Sequence, residues 1–217
     1  MTTKAPTLHP RNVHANGYDF SLLVTHEPAL NHYIIEHPDR VTTIDFADPS
    51  AVKLLNKALL KQYYGVDFWD IPDNYLCPAV PGRADYLHYL ADLLAEDEEY
   101  ADRRHIKVLD VGTGANCVYP IIGHSVYGWK FTGSDIDEVS IKSAQMLVKS
   151  NRSLSGKIDL RLQKDPSQIF NGVFKRREMF DLTMCNPPFH KSLAQATKGT
   201  ARKVKNLTGQ TKTSPQL

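Results

Sequence analysis

The sequence predicts an α/β fold in which a parallel sheet follows a small, mainly helical N-terminal module. From Ile106 onward, short apolar strands alternate with amphipathic helices, which is typical of βαβ units. Before that point the periodicity is helical, and 217 residues with 41% hydrophobic content can form a substantial core. We therefore expect an N-terminal module over residues 1–100, a sheet domain with its first four strands over 101–190, and a basic, mobile segment over 191–217.

Composition narrows the possible locations and cofactors. The N-terminus has no apolar segment, and no run approaches membrane-spanning length, so we expect a cytoplasmic protein without a membrane partner. Cys77, Cys117 and Cys185 are widely spaced and form no CxxC pair, which indicates neither a disulfide framework nor a zinc site. We expect no bound metal and a monomer.

The first 47 residues are polar, rich in histidine and without clear periodicity. Arg11 and His14 are candidate contacts to a nucleic-acid backbone, although a lone basic turn is more often a solvated surface. A helix is predicted over 49–64, with Asp48 as its N-cap and Gly65 after its last turn. An extended, proline-rich connection and a second helix should follow, over 69–82 and 83–95.

The sheet domain should contain four strands with helices between the first three. A short helix is expected to end near Tyr127, and a longer one to begin at Asp137. Asn171-Gly172 between apolar pairs predicts a β-hairpin. The predicted strands cover residues 106–111, 129–134, 158–162 and 180–184.

A glycine-rich turn follows the first of these strands. Gly112 and Gly114 would let a ligand approach the backbone beside a helix N-terminus. The third glycine of a dinucleotide fingerprint is absent, which disfavours NAD. Asp110 and Asp135 end the first two strands, where an acid commonly binds ribose hydroxyls; either could instead cap a helix.

Asn186-Pro187-Pro188-Phe189 follows the fourth strand, because two prolines end its ladder. The Asn186 amide oxygen and the Pro187 carbonyl could accept both N–H groups of a planar amine and aim its lone pair at a methyl group. Phe189 could stack on a base, and proline holds the acceptors in place beforehand. Taken alone, the motif is equally consistent with an ordinary turn.

Six basic residues and no acidic ones follow position 190. Such a segment is often only a solvated tail. Beside a base-binding motif it is also suited to contact phosphates. The proposed contacts are Arg202, Lys203 and Lys205.

Several stretches resemble one family of enzymes. Residues 108–120 and 185–189, together with 8–12, 45–49, 80–86 and 169–172, resemble the bacterial 23S rRNA (adenine-1618) N6-methyltransferases. These are S-adenosylmethionine-dependent RNA adenine-N6 methyltransferases, and a vertebrate enzyme acting on spliceosomal small nuclear RNA is a relative. The resemblance covers nearly the whole chain and includes stretches that generic methyltransferases lack.

The resemblance implies a Rossmann-like class I methyltransferase sheet and roles for individual residues. Arg83 would bind the carboxylate of S-adenosylmethionine, Asp135 its ribose, and Gly112 and Gly114 its methionine part, with Ser167 near the adenine. Asp110 would belong to the same cofactor site. The N-terminal module would help to hold ribosomal RNA. The family continues through further strands, so we expect this chain to be a C-terminally truncated fragment.

Other functions share these motifs. Asn-Pro-Pro-Phe also resembles guanine-N2 rRNA methyltransferases, and Asn-Pro-Pro-aromatic occurs in enzymes that methylate a glutamine side chain. The nitrogen of a side-chain amide and that of a base amine are both poor nucleophiles, because their lone pairs are delocalised. A third alternative is a catalytically silent RNA-binding fragment.

Overall fold

The computed structural model describes residues 8–37, 41–97, 100 and 106–187. The chain divides into two compact units, Met1–Cys185 and Asn186–Leu217. All helices and strands named below lie in the first unit. Within the described residues, no helix is both long enough and apolar enough to cross a membrane.

The N-terminal region contains short elements that the sequence did not predict. Helix α1, Phe20–His26, is capped by the Asp19 side chain, and a 3₁₀ helix follows over Pro28–Tyr33. Strands β1, Ile34–Glu36, and β2, Thr42–Ile44, form an antiparallel pair. Strands of three residues and helices of six or seven residues are too short to show a clear periodicity, so sequence patterns do not reveal them.

Helix α2, Pro49–Tyr64, matches the prediction. The Asp48 carboxylate accepts the backbone N–H groups of Ser50 and Ala51, which would otherwise lack partners. Gly65 ends the helix in the left-handed region, at φ +65°.

Helix α3, Val80–Ala95, begins three residues before the predicted start. The prediction treated Pro81 and Gly82 as part of an extended connection. Proline is tolerated in the first turn of a helix, because the N–H groups there have no partner within the helix. The prediction of an extended chain through residue 82 was therefore wrong.

The central sheet has four parallel strands in the order β5-β4-β3-β6. Because all four run in the same direction, their carboxyl ends lie at one edge. At that edge Val111 is paired with Ser134 on one side and Cys185 on the other. The strands are β3, Lys107–Val111; β4, Lys130–Asp135; β5, Ile158–Leu162; and β6, Leu182–Cys185.

Two helices connect the first three strands of the sheet. Helix α4, Val118–Tyr127, follows β3, and α5, Glu138–Ser150, follows β4. Helices α2 and α3 pack against α4. One hydrophobic cluster therefore joins the N-terminal helices to the sheet; its buried residues include Leu59, Leu87, Ile121 and Phe131.

The predicted hairpin at Asn171-Gly172 does not form. Gly172 has φ +82°, so the turn itself is present, but residues 169–174 contain no strand. The Gln163 side-chain amide donates to the Asn171 carbonyl at 2.8 Å. The Val173 backbone N–H donates to the Phe170 carbonyl at 3.0 Å. These local bonds satisfy polar groups that a strand ladder would have used.

Candidate functional site

The glycine turn lies at the carboxyl edge of the sheet and is bonded to β4. Gly112 and Gly114 have φ +76° and +68°, which residues with a Cβ atom rarely adopt. The backbone N–H groups of Gly112 and Thr113 both donate to the Ser134 carbonyl, at 2.8 and 3.0 Å. The turn is therefore held at the end of the neighbouring strand.

Asp135 connects this turn to the start of α5. One carboxylate oxygen accepts the Gly114 N–H at 2.9 Å, and the other accepts the Asp137 N–H at 2.9 Å. The N-cap of α5 is Asp137, not Asp135. Each carboxylate oxygen can accept more than one hydrogen bond, so Asp135 can brace the loops and still accept from ligand hydroxyls.

Asp110 is the most unusual polar group of the site. Its exposed fraction is 0%, and among the described residues neither of its carboxylate oxygens has a hydrogen-bond partner. Burial raises the pKa of Asp110 to about 7, and the charge of Asp135 adds to this shift. The Thr113 hydroxyl and Arg83 act in the opposite direction. A buried polar group without a partner is costly, and such groups are concentrated at functional sites.

Arg83 extends from the first turn of α3 toward the same region. Its Nη1 donates to the Tyr119 hydroxyl at 2.9 Å, and its guanidinium carbon lies 5.4 Å from the centre of the Tyr119 ring. Tyr86, one turn along α3, contacts the Tyr119 ring edge-to-face at 5.6 Å. The structure thus brings Arg83 and Asp110 into electrostatic range of each other.

Sequence reasoning missed Tyr86 and Tyr119. Besides the family resemblance of residues 80–86, the signal for Tyr86 was its spacing from Arg83, since residues three apart share a helix face. Tyr119, in the resembling stretch 108–120, had no spacing signal, because its contact with α3 is a tertiary one.

The connection between α2 and α3 bonds to both loops at this edge. The Trp69 indole N–H donates to the Asn116 carbonyl of the glycine turn at 2.9 Å. The Tyr75 hydroxyl donates to the Asp137 carboxylate, and this bond lowers the pKa of Asp137. The N-terminal helices are thereby attached directly to the predicted cofactor site.

Ser167 lies in the loop after β5. Its side chain is exposed, and its hydroxyl donates to Asp165 at 2.7 Å within a local turn. Within the described residues, Ser167 makes no hydrogen bond to Arg83, Asp110 or Asp135.

Only part of the predicted catalytic motif is described. Strand β6 ends at Cys185, and Asn186 and Pro187 follow it in the chain as the first residues of the second unit. Pro188 and Phe189 lie outside the described residues, as do the three basic positions Arg202, Lys203 and Lys205.

The two N-terminal candidates for RNA contact differ in exposure. Arg11 donates to Asp92 at 2.6 Å and to the His88 carbonyl at 3.0 Å, and its side chain is 45% exposed. His14 is only 4% exposed, and its Nε2 lies 2.7 Å from the Tyr64 hydroxyl. Burial, with a smaller contribution from the charge of His88, lowers the pKa of His14 to about 4. His14 is therefore a neutral core residue, and its burial argues against the predicted phosphate contact.

Two open cavities lie elsewhere, and none of the site residues above lines either of them. One, of about 570 Å³, is lined by residues around α1 and the β1–β2 pair, including Tyr18 and Ile34. The other, of about 430 Å³, is lined largely by residues at the amino ends of β3, β4 and β5. Across residues 8–187, excepting the gaps, no group of three or more metal-ligating side chains could hold a metal ion.

Comparison with known proteins identifies related sequences. Residues 2–217 match the Methyltransf_10 family, whose members are RNA methyltransferases. The ribosomal RNA large subunit methyltransferase F of Photobacterium profundum is 55% identical over 208 residues, which cover 95% of this chain and 62% of that protein. The protein of the same name from Bacteroides thetaiotaomicron is 54% identical over 212 residues, which cover 94% of this chain and 69% of that protein. The chain thus spans roughly three-fifths of the length of the first of these curated relatives.

Solved structures with the same fold include the METTL16 MTase domain, with a TM-score of 0.75 and 27% identity, covering 94% of this chain and 78% of that one. The N-terminal domain of human METTL16 in complex with SAH has a TM-score of 0.74 and 28% identity, covering 92% and 79%. The hMettl16 catalytic domain in complex with MAT2A 3'UTR hairpin 1 has a TM-score of 0.75 and 29% identity. The match covers 90% of this chain and 64% of that one. The predicted Rossmann-like class I methyltransferase sheet is confirmed.

Proposed function

Because the chain belongs to the Methyltransf_10 family of RNA methyltransferases, we propose that its parent protein methylates the N6 amine of an adenine in 23S ribosomal RNA, with S-adenosylmethionine as donor. One observation carries the proposal: the glycine turn, Asp110 and Asp135 lie at the end of strands β3 and β4, and Asn-Pro-Pro-Phe follows the strand paired with β3. Support for the ribosomal substrate comes from relatives that are 54–55% identical and named ribosomal RNA methyltransferases.

The residues present fit S-adenosylmethionine. Arg83 offers a planar fork suited to the donor's carboxylate, and Asp135 keeps acceptor capacity for ribose hydroxyls. Gly112 and Gly114 allow close approach to the backbone. The unpartnered carboxyl of Asp110 suits the positive charge of the donor, since a buried carboxylate is stabilised by a nearby cation.

When bound, S-adenosylmethionine supplies a methyl group attached to a sulfonium. The chain's own task is to orient the adenine amine, whose lone pair is delocalised into the ring. In this proposal the Asn186 side-chain oxygen and the Pro187 carbonyl accept its two N–H bonds, so that the lone pair points toward the methyl carbon. Phe189 stacks on the base, and Pro188 helps to keep the acceptors rigid.

RNA contact is proposed for the N-terminal module, residues 1–100, and for the basic segment, residues 191–217, which precede and follow the 101–190 core in the sequence. Arg11 is half-exposed, and Arg202, Lys203 and Lys205 supply further positive charge in sequence. The relative crystallised with an RNA hairpin supports an RNA surface on this fold. We also propose that the protein works as a monomer, without a metal, in the cytoplasm.

The test uses the full-length protein and its Asn186→Ala variant, assayed on 23S ribosomal RNA. Loss of one preorganised acceptor should lower kcat by about 10²–10³-fold and leave donor affinity unchanged. Phe189→Ala should instead weaken base capture by about 1–3 kcal/mol. Thr183→Ala, an exposed position on β6, serves as the control.

Mass spectrometry of the nucleosides then identifies the product. N6-methyladenine supports the proposal, whereas N2-methylguanine would assign the protein to the guanine enzymes. Near-normal turnover by a folded, donor-bound Asn186→Ala variant would reject the amine-orienting mechanism and leave the motif as a turn.

A further inference from the structure

The first turn of α3 carries Arg83 but is weak by itself. Its N-cap is Ala79, which provides no side-chain acceptor for the exposed N–H groups. Pro81 and Gly82 precede Arg83, and glycine within a helix is about 1 kcal/mol less favourable than alanine. Within the helix, the Arg83 backbone N–H reaches the Ala79 carbonyl at 3.2 Å. Additional contacts must therefore keep this turn in one position.

Asn12 supplies such contacts from outside the helix. Its side-chain amide donates to the Pro81 carbonyl at 2.9 Å and to the Asp85 carboxylate at 3.1 Å. These two residues lie two positions before and two positions after Arg83. The His9 backbone N–H donates to the same Asp85 oxygen at 2.5 Å. The turn that carries Arg83 is thus bonded on both sides by the N-terminal segment.

The orientation of the Asn12 amide is fixed. Its oxygen accepts the His14 backbone N–H at 3.0 Å, so its NH₂ group must face Pro81 and Asp85. The side chain is 3% exposed. A position that needs one acceptor and two donors in this space suits asparagine, whereas aspartate there would place a second carboxylate against Asp85.

A second attachment lies farther along α3 and provides a natural comparison. His9 Nε2 lies 2.8 Å from one Asp92 oxygen, and Arg11 donates to the other at 2.6 Å. The His9 ring also stacks on His88, with centroids 5.2 Å apart. Asp92 is more than two helical turns from Arg83, so this attachment holds the N-terminal segment without bracketing the arginine.

We infer that Asn12 is a positioning residue, which holds the first turn of α3 so that Arg83 presents its guanidinium to the carboxylate of the methyl donor. The inference rests on the proposed role of Arg83. Tyr119 fixes the guanidinium end at 2.9 Å, and Asn12 fixes the backbone end. Bidentate recognition of a carboxylate requires both ends to be held, because it depends on a fixed fork geometry.

The test measures binding of S-adenosylhomocysteine by calorimetry to the 217-residue chain, at a temperature where every variant is folded. Asn12→Ala should weaken binding roughly tenfold, the factor expected when one buried hydrogen-bonded contact is lost. Asp92→Ala, which removes both oxygens of the second attachment, should change the affinity less than about twofold. Melting temperatures of both variants show how much each contact contributes to overall stability.

A helix-strengthening change provides a rescue. Gly82→Ala adds a Cβ atom that meets nothing within 4 Å and favours the helical turn. In the Asn12→Ala background it should recover roughly fivefold in affinity, since about 1 kcal/mol corresponds to that factor. A purely global effect on stability would not restore ligand affinity in protein that is already folded.

Arg83→Ala separates the two hypotheses. If it weakens binding while Asn12→Ala binds like the parent chain, the positioning inference is rejected and the proposed role of Arg83 stands. If Arg83→Ala itself binds normally, the proposed role of Arg83 fails first, and the inference with it. Should Asn12→Ala not fold, Asp85→Ala removes the oxygen that accepts from both Asn12 and His9, and it is expected to weaken binding in the same way.

Discussion

Replacing Asp110 with asparagine should make the protein relatively more stable at pH 8 than at pH 5. Asp110 is completely buried, and burial raises its pKa from 3.8 to about 7. Its ionisation is therefore costly in the folded state. Asparagine has nearly the same shape but does not ionise, so the substitution removes that cost.

The sign and size of this change in stability follow from the pKa of Asp110 in the unfolded chain, 3.8, and in the folded chain, about 7. Below pH 4, Asp110 is protonated in both the folded and the unfolded chain and adds no pH dependence. Between pH 4 and 7 the unfolded chain loses its proton first, so the folded state loses stability as the pH rises. Above pH 7 the penalty is constant. At 1.36 kcal/mol per pKa unit, it grows by about 2.5–3 kcal/mol between pH 5 and pH 8.

Urea unfolding of both proteins at the two pH values measures this change. Other groups titrate alike in the two proteins, so the difference in unfolding free energy isolates Asp110. Asp165→Asn is the control: hydrogen bonds from Ser167 lower the pKa of that exposed carboxyl, which stays ionised throughout. An Asp110→Asn difference that is the same at both pH values would show that Asp110 does not titrate in this range.

Three further predictions concern the cofactor site, the core and the basic segment. Asp135→Ala should weaken donor binding by about 1.5–3 kcal/mol, because a charged acceptor is lost and the Gly114 N–H loses its partner; calorimetry on the folded variant decides this. Gly123→Ala should lower the unfolding free energy by about 1–3 kcal/mol, because the added Cβ would clash with the Phe131 ring, whereas Gly82→Ala should not destabilise the chain. Removing three charges from the basic segment should reduce the log–log salt slope of RNA binding by roughly 0.7 per lost phosphate contact, and an unchanged slope would indicate a solvated tail. The substitutions are Arg202→Gln, Lys203→Gln and Lys205→Gln.

Local signals in the sequence predicted much of the fold. The alternation of strands and helices predicted the four parallel strands, and Asp48 identified a helix start through its own side chain. The β1–β2 pair was missed because short elements depend on tertiary packing. The predicted hairpin failed because the Gln163 side chain satisfies the Asn171 carbonyl from outside the turn.

The candidate site was predicted in its outline but not in its electrostatics. The glycines and aspartates could be assigned from their places at strand ends. The burial of Asp110 without a hydrogen-bond partner could not be predicted, because burial depends on every element packed around the residue. Tyr119 contacts a residue of α3 that is 36 positions away, and Asn12 contacts one that is 69 positions away. No local sequence pattern reaches over such distances.

The hydrogen bond between Trp69 and the glycine turn makes the tryptophan fluorescence of the protein sensitive to this turn. The chain has two tryptophans, and both are buried. Trp129 stacks on Tyr127 in the core, whereas the Trp69 indole donates to the Asn116 carbonyl. Since indole emission responds to hydrogen bonding and polarity, a rearrangement of the turn would alter the fluorescence of Trp69 and leave that of Trp129 as a constant background. The protein thus contains its own unlabelled reporter of rearrangements at the glycine turn, which can be used to test whether the proposed methyl donor binds there.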